Sequence, residues 1–68
     1  MLASPRLGQA VQVWYNAHMA PFRSLHGRIG TVAVRAKGRP RNHGVLIDGD
    51  LHVVPCGNLR KAPEPTAG

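Results

Sequence analysis

The stretch His26-Gly27-Arg28-Ile29-Gly30-Thr31-Val32-Ala33-Val34 constrains the fold more than any other part of the chain. Gly27 suits a tight turn, and the β-branched run after it suits a twisted strand. Two further patterns match it: Gly8-x-x-Val11-x-Val13 upstream and Val53-Val54-Pro55-x-x-x-Leu59 downstream. Short apolar runs bounded by Gly and Pro point to several short strands, and together to a very small β-barrel. The 68 residues allow one domain. A domain of this length buries only about 60% of its unfolded surface, so its core must be economical.

The alternation of apolar and polar residues divides the chain further. Gln9 to Tyr15 is the first expected strand, with Val11, Val13 and Tyr15 on one face and Gln12 and Trp14 on the other. Asn16 to Leu25 is a long connection containing Pro21, with room for a short helical turn around Ala17–Met19. Arg28 to Arg35 is the second strand. Ile29, Thr31 and Ala33 fall on one face, Val32 and Val34 on the other, and Gly30 marks a bulge or a close backbone approach. A loop spans 37–42. Gly44 to Asp48 and Leu51 to Val54 are the third and fourth strands, joined by the hairpin signal Asp48-Gly49. Pro55 ends the fourth, Cys56 to Leu59 forms a tight turn of 3₁₀ type, and Leu59 to Lys61 is a short last strand. The expected core is Val11, Val13, Ile29, Val32, Val45, Ile47, Val53 and Leu59. Placing both Ile29 and Val32 inside requires a bulge at Gly30. Residues 1–7 are expected as a flexible leader, 8–61 as the domain, and 62–68, with Pro63 and Pro65, as a disordered tail.

Gly27-x-x-Gly30-x-Val32 resembles the core of the KOW motif, found in ribosomal proteins and NusG-type transcription factors. Gly8-x-x-Val11-x-Val13 before it and Asn58-Leu59-Arg60 after Pro55 are similar to the flanking pattern. The resemblance covers most of residues 8–61. It implies an all-β fold: a small SH3-like (KOW-type) barrel of four or five mostly antiparallel strands. Gly49-x-Leu51-x-Val53-Val54-Pro55-x-x-x-Leu59 is also similar to the last-strand region of plasmid-encoded type II dihydrofolate reductases, which are tiny SH3-like barrels. Their active segment reads Val-Gln-Ile-Tyr, and the matching positions here are Leu51-His52-Val53-Val54. The Gln and the Tyr are missing, so that activity is not implied. Signalling SH3 domains grip polyproline with a run of aromatic and acidic residues, which this chain lacks.

Charge says more about partners than about fold. Nine Lys and Arg stand against three Asp and Glu, giving a net charge of +6. That balance favours a polyanion: nucleic acid, an acidic protein face or an anionic membrane. No apolar run approaches the roughly 20 residues of a spanning helix, so no membrane partner is expected. Met1-Leu2-Ala3-Ser4-Pro5-Arg6 lacks the apolar core of a signal peptide. Cys56 is alone, so no intrachain disulfide forms. These features fit a cytoplasmic protein.

Arg35-x-Lys37-x-Arg39-x-Arg41 sets four cations in seven residues. Such crowding of like charge is relieved when phosphates neutralise it and release counterions. Arg adds a fork that matches phosphate or guanine edges. Arg23, Arg28, Arg60 and Lys61 are candidates to extend the patch. Phe22 and Trp14 are candidate stacking surfaces for unpaired bases, and Trp14 equally suits capping one end of a barrel. His18, His26, His43, His52 and Cys56 have no paired ligand spacing, so no metal site is expected. Asp48 and Asp50 flank the turn glycine, and only Glu64 remains, so paired carboxylates for acid–base work are lacking. The expected function is a non-catalytic module that binds RNA or DNA through basic loops, without a cofactor. The alternative is an adaptor that docks on an acidic protein in a larger complex.

Overall fold

The computed structural model describes residues 2, 4–38 and 41–63. The chain is all-β. Five strands, β1 (Ala10–Val13), β2 (Ile29–Val34), β3 (Asn42–Ile47), β4 (Asp50–Pro55) and β5 (Leu59–Lys61), form one sheet. Every pairing is antiparallel, in the order β4-β3-β2-β1-β5. The described strands do not close on themselves: β4 and β5 are the two edges. Among the described residues the helical turns are two single 3₁₀ turns, at Ala20–Phe22 and Cys56–Asn58. The first lies just after the place where a helical turn was expected, with Pro21 inside it, where its fixed φ fits and its missing N–H costs little.

The β3–β4 hairpin follows from its turn. Asp48 (φ 52°) and Gly49 (φ 84°) both take left-handed backbone, as a type I′ turn requires. A two-residue turn aligns Ile47 with Asp50, and hence Val45 with His52 and His43 with Val54. Cross-strand partners share a face. Because Val45 and Ile47 point inward, Val54 does too, at 1% exposure, and Val53 points out, at 72%. The expected placement of Val53 in the core is therefore corrected in favour of Val54.

Ile29 is likewise outside, 51% exposed. Gly30 pairs with Val11 and takes the inward position instead. A side chain there would press on the Leu46 carbonyl oxygen and lie 2.7 Å from Ile47 Cγ1 and 2.9 Å from Val45 Cγ1. Gly30 thus marks a close approach of β2 to β3, and the bulge sits further on, between Val32 and Val34. The bulge turns Val34 outward while Val32 stays in. The core is Val11, Val13, Val32, Val45, Ile47, Val54 and Leu59, with Leu2, Tyr15 and Leu25 packed against it. Ahead of Gly8, Pro5 is fully buried, and the Leu2 N–H donates to the Leu59 carbonyl at 3.0 Å.

Candidate nucleic-acid interface

The β2–β3 loop is held at its base by three hydrogen bonds. The Ala36 N–H donates to His43 Nδ1 at 3.1 Å. The Cys56 N–H donates to the Arg41 carbonyl at 2.8 Å, and Arg41 Nη1 donates to Ser4 Oγ at 3.0 Å. His43 is buried because its position on β3 faces inward, opposite Val54. Since Nδ1 accepts, the ring proton belongs on Nε2, which is buried without a hydrogen-bond partner. These anchors leave Arg35, Lys37 and Arg41, with Ser4, Gly38 and His43, around a shallow cavity of about 180 Å³. Among the described residues no carboxylate lines it. The structure therefore brings together three of the four expected loop cations. Arg39 lies outside the described residues.

The remaining candidates gather at the other end of β2. β1 runs antiparallel to β2, so Trp14, just after β1, sits near Arg28, just before β2. The Val13 N–H donates to the Arg28 carbonyl at 2.9 Å. The Arg60 guanidinium lies 3.5 Å from the centre of the Trp14 ring. Arg60 Nε also donates to Gln12 Oε1 at 2.8 Å, and Gln12 Nε2 donates to the Gly27 carbonyl at 3.0 Å. The His26 ring packs 4.4 Å from the Trp14 ring at a 47° tilt, and its Nδ1 accepts from the Tyr15 N–H at 3.0 Å. Arg28 forms an ion pair with Asp48. Arg23 lies over Tyr15, 5.6 Å from its ring centre, and shares a shallow cavity with Phe22 and Tyr15. Phe22 is 76% exposed. Lys61 pairs with Val11 on β5, an exposed position on the sheet edge.

The nine described candidates do not converge on one spot. β2 has six residues, about 20 Å at roughly 3.3 Å per residue, and separates the loop cations from the Trp14 cluster. Trp14 already carries a cation on its ring, which fits the capping role. Phe22 has a ring that no other aromatic or cation in the described structure covers. Ser4, Gln12 and His43 were missed as supporting residues. Gln12 had a signal, since it sits directly across from Arg60 once β5 is paired with β1. Ser4 and His43 act through contacts distant in sequence and had none.

Among the described residues no group of three His, Cys, Asp or Glu is placed to hold a metal ion. Cys56 is a half-buried free thiol. No helix among the described residues is long and apolar enough to cross a membrane. Comparison with protein-family models, curated proteins and solved structures finds no match to this chain.

Proposed function

We propose that the protein is a non-catalytic nucleic-acid-binding module of the cytoplasm, its sheet an SH3-like, KOW-type barrel. The observation that supports this most is the loop cavity, around which Arg35, Lys37 and Arg41 stand together. Phosphate oxygens are the complement of such a site. Arg39 belongs to the same loop and adds a fourth contact. Phe22, beside Arg23, is the stacking platform. A stacked single strand advances about 3.4 Å per nucleotide, so the 20 Å between the two regions corresponds to roughly six nucleotides. One strand of that length engages both.

Filter binding of single-stranded RNA and DNA at several salt concentrations tests this. Engagement of four to six phosphates gives a log–log salt slope of magnitude about 3–5. Phe22→Ala weakens single-strand binding by about 1–3 kcal/mol and leaves the slope unchanged. No binding at low salt, together with retention of one acidic protein, replaces this reading with the adaptor.

A further inference from the structure

β4 is an edge strand, and among the described residues no strand pairs with its far side. The turn settles which of its backbone groups are free. In a two-residue type I′ hairpin, Ile47 and Asp50 form the hydrogen-bonded pair that closes the turn. Hydrogen-bonded and non-bonded pairs then alternate along the ladder. Asp50, His52 and Val54 direct their N–H and C=O groups to β3. Leu51 and Val53 direct theirs to the open edge. These same two residues are apolar and exposed, at 54% and 72%. Leu46 and Val34 extend the apolar surface inward across the sheet, around Gly44, whose missing side chain lets Val34 and Leu51 approach.

Natural sheet edges are usually guarded by Lys, Pro or a bulge. The β5 edge carries Arg60 and Lys61. Between Asp50, its first residue, and Pro55, its last, the β4 edge carries no charge, Pro or bulge. Charge is segregated in the same way. From Gly44 to Leu59 the chain contains no Lys or Arg, and it carries Asp48 and Asp50. In a chain of net charge +6, this is the part that neither repels its own copy nor attracts a polyanion.

We propose that β4 pairs antiparallel with β4 of a second copy, across a two-fold axis at His52. Only groups that face the open edge can meet, which restricts the register. Centring on His52 sets Leu51 opposite Val53 of the second copy, and Val53 opposite its Leu51. That gives four backbone hydrogen bonds and lays each exposed leucine beside an exposed valine. Shifting one way places Leu51 opposite Pro55, which has no N–H to donate. Shifting the other way places Val53 opposite the turn residue Gly49. The edge is therefore complementary to itself in one register. A standard stable interface removes roughly 800 Å² from each partner, and a single strand seam falls short of that. The dimer therefore forms with micromolar or weaker affinity. It is independent of the nucleic-acid reading, because the cations lie on other elements.

Sedimentation equilibrium of the full chain from about 10 μM to 1 mM, with amide hydrogen exchange at both ends of that range, tests the proposal. The expected result is a monomer–dimer equilibrium in which the Leu51 and Val53 amides slow at least about tenfold at high concentration. Val53→Lys, at an exposed position, weakens the dimer at least about tenfold by setting like charges across the axis, with an unchanged melting temperature. Leu7→Lys, an exposed apolar site (63%) off the β4 edge, leaves dimerisation unaltered. A monomer at every concentration overturns the proposal. So does a dimer whose Leu51 and Val53 amides exchange as in the monomer. Should Val53→Lys fail to fold, the exchange data on the parent protein decide.

Discussion

The two ends of β2 hold the same kinds of cation in opposite circumstances. At the C-terminal end, Arg35 and Lys37 line an open cavity to which no described carboxylate contributes, beside Arg41, which donates to Ser4. At the N-terminal end, Arg28 is matched by Asp48, and Arg60 lies on the Trp14 ring while donating to Gln12. The comparison teaches that a net charge of +6 overstates the charge available to a ligand. Some arginines are occupied in holding the sheet together, and a count of residues does not distinguish them.

Four variants test that contrast. The largest effect is expected from changing Arg35, Lys37, Arg39 and Arg41 together to Gln. The salt slope of nucleic-acid binding should fall by about 3–4, with a loss of stability of only about 1 kcal/mol from the Arg41–Ser4 hydrogen bond. An unchanged slope in filter binding would mean that the loop cations are not the contact. Trp14→Ala should behave in the opposite way, lowering unfolding free energy by about 1–3 kcal/mol in urea titration and leaving the slope alone. Loss of slope without loss of stability would exchange the roles of the two ends. Arg60→Gln should cost about 1 kcal/mol of stability, from the lost ring contact and hydrogen bond, and change the slope by less than about 1. The smallest effect belongs to Asp48→Asn. The pair with Arg28 is exposed, so its removal should cost no more than about 1 kcal/mol. That shift is readable as a change of a few degrees in melting temperature.

Much of the sheet was legible in the residues. Alternation and the Asp48-Gly49 signal located all five strands, and the turn took the geometry those two residues favour. The errors in the core came from pairing. Val53 and Val54 are indistinguishable by composition, and only the register of a two-residue turn makes Val54 the inner one. That register was deducible from Val45 and Ile47, since partners across a ladder share a face. Ile29 and Val34 turn outward for reasons of tertiary contact: the close approach at Gly30 and the bulge after Val32. The candidate site was legible as a list and not as an arrangement. The loop cations do surround one cavity, but strand order sets the aromatic residues about 20 Å away, a separation visible only once β1 is laid against β2.

The contacts made ahead of Gly8 have a practical consequence for anyone preparing the protein. Leu2 bonds to Leu59 on β5, Pro5 fills part of the interior, and Ser4 accepts from Arg41 at the rim of the cation cavity. Extra residues joined just ahead of Leu2 would emerge beside β5, and proteolytic trimming past Ser4 would remove part of that rim. Preparations that differ only in how their first residues were handled should then differ in binding.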